Sequence, residues 1–143
     1  MNKTLPDKWI RKSIYNLINN IIVDGKTIPC YDTTVTDQGK NFYVLISTQS
    51  STQQKIEKTE DQWLSTVLVD VFTRYKKAGN TGSRLLAENI GDKIRELTDG
   101  LVLDSSSGLS IIWQDTNFLP DIYSSTKNEN VFRKLIQYEF LIN

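Results

Sequence analysis

The most regular pattern of hydrophobic and polar positions lies in residues 62–75, where side chains alternate without Gly or Pro. A period of two predicts a β-strand with one buried face and a second face that carries both apolar and polar side chains. At about 3.3 Å per residue this run would reach roughly 45 Å, whereas a usual strand spans roughly 17–20 Å. The strand therefore either overshoots its sheet or begins in a projecting hairpin. Its predicted buried residues are Trp63, Val67, Val69, Val71 and Tyr75.

Two segments have the spacing of an amphipathic helix. The first begins with Asp7 as N-cap and ends near residues 19–20 or at Val23, while the second runs from Ser83 to about Leu97. Gly91 lowers the stability of the second helix by about 1 kcal/mol relative to alanine. A glycine at such a position is explained if another element packs closely against it, so we predict close packing there. Isolated helices of this length do not persist, so both need a sheet to cover. The predicted stripes are Ile10, Ile14, Leu17, Ile18 and Ile21, and Leu86, Ile90, Ile94 and Leu97.

Further strands are predicted at residues 41–48, 109–116 and 131–142. The polar residues 49–61 would form either the tip or the outer halves of an antiparallel hairpin. Residues 26–31 are predicted as a short extended segment, and Pro29 keeps this segment out of the centre of a sheet. Residues 101–103 are predicted either as a short strand or as an extended segment that leads to the next strand. Residues 117–130 are expected to be irregular. The terminal strand buries Phe132, Ile136, Tyr138, Phe140 and Ile142.

These elements predict a single α+β domain over residues 1–143, in the form of a two-layer sandwich. Its mostly antiparallel sheet has about four long strands, two amphipathic helices cover one face, and a hairpin projects.

The composition excludes several kinds of site. Lys and Arg number 17 and Asp and Glu number 17, interspersed, which argues against a dedicated nucleic-acid binder or a polybasic membrane anchor. The absence of histidine removes Ser-His-Asp and Cys-His nucleophiles and most metal sites. A single cysteine forms no intramolecular disulfide, and no signal peptide or membrane span is visible. We expect a soluble protein made in a reducing compartment, with no cofactor and no metal.

Three residues carry possible chemistry, and each has a simpler interpretation. Cys30 has no obvious activating cation, which favours a small buried hydrophobe over a reactive thiol. Asp70 is more simply a charge at an edge or interface, or a partner of Arg74 or Arg133. Pro120-Asp121 begins a metal-dependent nuclease pattern, but no acidic-x-Lys follows it on a later strand.

The loop after the long strand is basic and glycine-containing. Residues 79–83 precede a helix, where a phosphate could bind, but they lack P-loop spacing. Lys76, Lys77 and Arg84 make this loop a candidate contact for DNA or an acidic partner, with a solvated loop as the simpler interpretation. The three Trp side chains are expected in the core or at an interface.

The layout of these elements resembles the tail-terminator, tail-completion and head-tail connector (neck) proteins of tailed bacteriophages. The matching features include the helix through residues 9–15, the connecting segment 23–32 that precedes the first long strand, the strand at 42–46, the long strand at 64–72 and the helix at 82–97. A final strand pair completes a resemblance that covers Asp7 to Ile142. The chain departs from the pattern at residues 72–75 and in the length of 117–130.

The resemblance implies a non-enzymatic virion protein that forms a ring of six or twelve copies around the DNA channel. Its partners would be portal, neck and tail proteins, with DNA passing through the lumen without specific binding and no membrane involved. Ring contacts are expected in the polar hairpin and in residues 117–130. The candidate contact residues are Gln53, Gln54, Lys55, Glu57, Lys58, Glu60, Pro120, Asp121 and Tyr123.

Two other classes of function stay open from the residues alone. One is a carboxylate-dependent accessory enzyme of nucleic-acid processing, which would need several carboxylates converging in a pocket. The other is a small monomeric or dimeric adaptor. A neutral, mixed-charge chain suits a conduit through which DNA slides, because strong phosphate binding would hold the DNA in place.

Overall fold

A computed structural model of the chain describes residues 5–37, 40–57, 60–76 and 83–143. Two helices and a mostly antiparallel sheet confirm the predicted α+β class. In chain order the elements are α1 (Asp7–Ile18), β1 (Ile21–Val23), β2 (Lys26–Ile28), β3 (Cys30–Asp32), β4 (Phe42–Glu57), β5 (Glu60–Lys76), α2 (Ser83–Thr98), a 3-10 turn (Ser105–Ser107), β6 (Ile111–Phe118), β7 (Ile122–Ser125) and β8 (Glu129–Ile142).

The main sheet has the strand order β3-β4-β5-β8-β6, and β7 pairs with the other end of β8. Every pair is antiparallel except β3 with β4, and β1 and β2 form a separate hairpin. The edge position of β3 agrees with the expectation that Pro29 keeps this segment off a central strand. β3 and β4 are consecutive in the chain and run in the same direction, so their pair is parallel.

The long strand predicted at residues 62–75 is β5, the centre of the sheet. It pairs with β4 on one side and with β8 on the other, from Trp63 opposite Ile142 to Lys76 opposite Glu129. The described polar residues 49–57 and 60–61 therefore lie in the outer halves of the β4–β5 hairpin. β8 pairs with β5 as far as Trp63, so among the described residues of the hairpin 54–57 and 60–62 extend beyond β8.

Both helices cover the same face of the sheet, the one that carries the fully buried apolar residues of β4, β5 and β8, such as Ile46, Val69 and Ile136. α1 packs on β3 and β4, and α2 packs on β5 and β8. A fully buried aliphatic or aromatic side chain contributes roughly 1.5–3 kcal/mol. The fully buried large side chains include Ile10, Ile14, Ile18, Val44, Ile46, Ile90, Ile94, Ile136, Tyr138, Phe140 and Ile142.

The first helix begins differently from its prediction, and it ends close to the nearer of the two predicted ends, with Asn19 as C-cap. Pro6 occupies the N-cap position without a side-chain cap hydrogen bond, and Asp7 is already the first helical residue. The helix ends at Ile18, so Ile21 contributes to the core from β1. Leu17, predicted in the stripe, is 39% exposed. Ile10, Ile14 and Ile18, spaced by four residues, already fill the contact with the sheet.

The C-terminal third confirms one prediction and corrects two. Residues 101–103 are extended without strand pairing, which is one of the two predicted alternatives. The strand predicted at 109–116 is β6, shifted to 111–118. The segment 117–130 is less irregular than expected, because it contains the end of β6, all of β7 and the start of β8. The residues of β7 are all exposed, so burial left no hydrophobic signal in the sequence.

Candidate functional site

The outer hairpin is the first surface with predicted contact residues. Five of its six predicted contacts lie in paired strands, and the sixth, Lys58, lies outside the described residues. Gln53 and Gln54 are exposed on β4, opposite Trp63 and Gln62 of β5. The five placed residues are Gln53, Gln54, Lys55, Glu57 and Glu60.

The N-terminal turn of α1 holds this hairpin at its base. The Asp7 carboxylate accepts a hydrogen bond from the Ser51 hydroxyl, and Gln49 donates from Nε2 to the Asp7 carbonyl over 2.9 Å. Arg11 donates to Gln49 Oε1 over 2.6 Å and to Asp32 Oδ2 over 3.3 Å. Asp7 was predicted as a cap, but its carboxylate instead ties the helix to the sheet.

Asp121 and Arg84 come from two separate predicted contact regions, and the fold brings them together. The Asp121 carboxylate accepts a hydrogen bond from Lys134 Nζ over 3.2 Å, and Arg84 Nη2 lies 4.0 Å from it. Arg84 belongs to the first turn of α2. Lys76, assigned to the same basic loop, is the last residue of β5, which corrects the predicted loop start. Lys77 lies outside the described residues.

Pro120 and Tyr123 present the β7 region to solvent. Pro120 is exposed in the connection between β6 and β7. Tyr123 is 55% exposed, although its ring centroid lies 4.7 Å from that of Phe132 and its hydroxyl donates to Asn130 Oδ1 over 2.9 Å. These contacts hold the tyrosine in place while leaving one side of its ring accessible.

The face of the sheet opposite the helices carries a central ion pair. Asp70, 5% exposed, accepts from Arg133 Nε at 3.0 Å and from Nη2 at 2.5 Å. The bond to Asp70 raises the pKa of Arg133 above its usual value. Of the two interpretations of Asp70, the structure supports a charge partner, and the partner is Arg133 rather than Arg74.

Three aromatic rings lie next to this ion pair, since Phe72 is directly opposite Arg133, and the sequence did not identify them as a cluster. Tyr43 stacks on Phe72 at a centroid distance of 4.5 Å, and Tyr31 meets Tyr43 edge-on at 5.8 Å. Burial raises the pKa of Tyr43. Tyr43 of β4 and Phe72 of β5 are distant in the sequence, and only the strand register shows that they are directly opposite.

The chemical candidates do not assemble a reactive centre in the described part of the chain. Cys30 is 4% exposed, and burial, followed by the nearby Asp32 charge, raises its pKa to about 12. This thiol stays protonated at neutral pH and behaves as the small buried hydrophobe that was predicted. No group of three or more His, Cys, Asp or Glu side chains with metal-binding geometry occurs among the described residues. Residues 79–82, considered above as a phosphate-binding loop, lie outside the described residues.

Neither described helix has the length and hydropathy needed to cross a bilayer. Three surfaces carry the candidate contacts described above: the hairpin, the β7 region and the uncovered face of the sheet.

Comparison with known proteins gives a relationship of fold. No protein-family model and no curated protein matches the sequence. Among solved structures, the fold is similar to that of a chain in the virion of a native gene transfer agent particle. The TM-score is 0.51 at 12% sequence identity, over 94% of this chain and 92% of the other. At this identity the match shows a shared fold that extends over nearly the full length of both chains.

Proposed function

We propose that this chain is a structural protein of a phage-like virion and forms a ring in the neck or at the head-proximal end of the tail. The observation that carries the proposal is the full-length fold match to a chain of a gene transfer agent virion. A match over 94% of this chain and 92% of the other favours a shared mode of assembly over a borrowed local motif. The order of elements resembles that of neck and tail-terminator proteins independently of this match.

The surface of the protein supports assembly through several copies. A ring requires a heterologous contact, in which two different surfaces of each copy meet. The sheet ends at two open edges, since no described strand pairs with β4 beyond Ile46 or with the outer side of β6. Open edges and a projecting hairpin are the features through which chains extend a sheet or grip a neighbour. In this proposal Gln53, Gln54, Pro120, Asp121 and Tyr123 contact other copies or adjoining neck and tail proteins.

The balanced charge of the chain supports a channel that does not bind DNA tightly. With 17 basic and 17 acidic residues, the ring would carry no strong net positive field. DNA affinity arises largely from neutralised phosphates and released counterions, so a neutral lumen lets DNA pass. We therefore propose a non-enzymatic conduit whose partners are other virion proteins.

Electron microscopy tests this proposal directly. We expect rings of six or twelve copies in the purified protein, or density for a ring at the junction of head and tail in particles that contain it. Two-dimensional classes of particles from which this chain has been deleted should lack that ring and show heads without joined tails. Intact, fully joined particles without the chain would contradict the proposal.

A further inference from the structure

The uncovered face of the sheet ends, at its β6 side, in a patch with unbalanced negative charge. Trp113 of β6 is opposite Leu141 of β8, which is opposite Leu64 of β5, so three apolar side chains cross the sheet in a row. In the next row on this face Asp115 of β6 is directly opposite Glu139 of β8. We call these residues the β6 patch: Leu64, Trp113, Asp115, Glu139 and Leu141.

The two carboxylates of the β6 patch repel each other. Side chains directly opposite in an antiparallel pair have Cβ atoms about 4.5–5.5 Å apart, and like charges there are destabilising. Asp115 is exposed and Glu139 is half-buried, and no cation pairs with either among the described residues. Trp113 beside them is 37% exposed. An apolar row next to an uncompensated acidic pair fits a partner surface with basic groups and an apolar depression.

The outer side of α1 has those properties. Lys8 and Lys12 are exposed one turn apart, and their ammonium groups lie 5.3 and 5.4 Å from the centre of the Trp9 ring. Arg11 and Lys12 have the carboxylate partners Asp32 and Asp104, whereas no carboxylate pairs with Lys8 in the described part of the chain. We call Lys8, Arg11 and Lys12 the α1 ridge.

Two clefts flank the α1 ridge and could receive protruding side chains. One, of about 400 Å³, is lined by all three ridge residues together with Tyr15 and Tyr31. The other, of about 420 Å³, lies between α1 and the extended residues 100–104 and is lined by the exposed Leu17 and Val102. The ridge is thus a basic strip between two clefts, one lined by charged and aromatic residues and the other partly apolar.

We propose that the β6 patch of one copy docks on the α1 ridge of a second copy, which would be the repeating contact of the ring. The inference rests on the proposed function and specifies its interface. Charge complementarity selects this pairing, because two β6 patches or two α1 ridges facing each other would bring like charges together. The patch and the ridge lie on opposite faces of the sheet, so each copy can use both at once and the contact can repeat until it closes.

Charge reversal tests the contact. In the variant D115K/E139K both the patch and the ridge are positive, and in K8E/K12E both are negative. Each variant alone should self-associate at least about tenfold more weakly than the wild-type chain in sedimentation velocity, because attraction becomes repulsion. A 1:1 mixture of the two variants should assemble again, because the positive patch of one meets the negative ridge of the other. With one variant isotope-labelled, native mass spectrometry should show assemblies that contain equal numbers of the two variants.

A matched control carries the same charge change elsewhere. D92K/E96K reverses two exposed carboxylates on α2 and should assemble like the wild-type chain, both alone and in mixtures. All substituted residues except Glu139 are exposed, so thermal unfolding should show that each variant is folded. Failure of the mixture to recover assembly, or loss of assembly in D92K/E96K, would overturn the proposed contact.

Photo-crosslinking locates the contact without changing charge. With Trp113 replaced by p-benzoylphenylalanine, we expect crosslinks to peptides of α1 and residues 100–104 from the second copy. Crosslinks only to other regions would overturn the docking while leaving a ring in place. A wild-type chain that stays monomeric in sedimentation would also overturn the docking. Microscopy of particles would still decide the ring separately, since a ring can assemble on a neighbouring virion protein.

Discussion

Asp70 and Arg133 are paired, but they are not equally accessible to solvent. The side chain of Asp70 is 7% exposed, whereas that of Arg133 is 40% exposed. Removing the arginine leaves a carboxylate that water cannot reach, whereas removing the carboxylate leaves a guanidinium that can hydrate. The cost of a buried charge without its partner is much larger than the net contribution of an exposed pair.

This asymmetry predicts unequal effects of the two single substitutions. We expect Arg133→Met to lower the free energy of unfolding by about 2–4 kcal/mol, because the buried Asp70 carboxylate then has no cation partner. Asp70→Asn should cost roughly 1–2 kcal/mol, because its amide oxygen still accepts from Arg133. Urea titrations of both variants measure the difference. Equal losses would mean that Asp70 is hydrated in the folded chain.

Two buried acids predict a loss of stability at alkaline pH. Burial raises the pKa of Cys30 from 9.0 to about 12 and the pKa of Tyr138 from 10.0 to about 12. Both groups stabilise the fold fully below the unfolded pKa values. As pH rises, the unfolded chain loses these protons first, so the contribution disappears through about pH 12.

Urea titrations at successive pH values check this expectation. Each group should lower the free energy of unfolding by up to about 1.4 kcal/mol per pH unit between its two pKa values. The variant Cys30→Ala/Tyr138→Phe, which removes both ionisations, should show a flatter pH profile over this range. An unchanged slope in that variant would assign the alkaline loss to other groups.

At the scale of elements, α1 and α2 contact the sheet in different ways. α1 buries three isoleucines and adds polar ties at its first turn, from Asp7 and Arg11 to β4 and β3. α2 lies close to β8 because Gly91 has no side chain. A Cβ at that position would lie 3.1 Å from Lys134 Cδ and 3.6 Å from a ring carbon of Phe118.

Gly91→Ala separates helix propensity from this close packing. Alanine should gain about 1 kcal/mol of helix stability, but in the wild-type chain it also displaces Lys134 from Asp121. We therefore expect a gain of less than about 0.5 kcal/mol in the wild-type background and about 1 kcal/mol in a Lys134→Ala background. Thermal or urea unfolding of the four chains gives the coupling. Identical gains in both backgrounds would show that Lys134 does not restrict this position.

At the scale of the whole molecule, the hairpin has a folded base and a projecting end. β5 is paired with both β4 and β8 from Trp63 to Thr73, whereas the described residues 54–57 and 60–62 extend beyond β8. The base of the hairpin carries the buried Val67, Val69 and Val71, so this part supports the core. We therefore expect the projecting end to be dispensable for folding and available to partners.

A shortened hairpin tests this division. Replacing residues 54–62 by Asn-Gly joins Gln53 to Trp63, which are directly opposite in the ladder, through a two-residue turn. We expect a folded chain whose melting temperature falls by only a few degrees and whose assembly into rings is lost. Circular dichroism and electron microscopy measure the two properties. Rings formed by the shortened chain would exclude the projecting end as a required contact.

The local patterns of the sequence determined both helices and the buried faces of β5 and β8. Periods of 3.6 and 2 place one set of side chains on one side of an element, and burial of that set follows from the hydrophobic effect. The same patterns indicated the hairpin, because two strong strands enclose a polar segment. The sequence also predicted that Cys30 is buried, and it gave a cation partner as one of two simple interpretations of Asp70, the one that the structure supports.

Only the tertiary structure decided which elements and side chains meet. The parallel pair of β3 with β4, the approach of Arg84 to Asp121 and the ladder that places Asp115 opposite Glu139 join residues distant in sequence. The exposed strand β7 and the exposed Leu17 had no distinguishing local pattern. Periodicity reports which side of an element is buried, whereas partner choice depends on how all the elements pack at once.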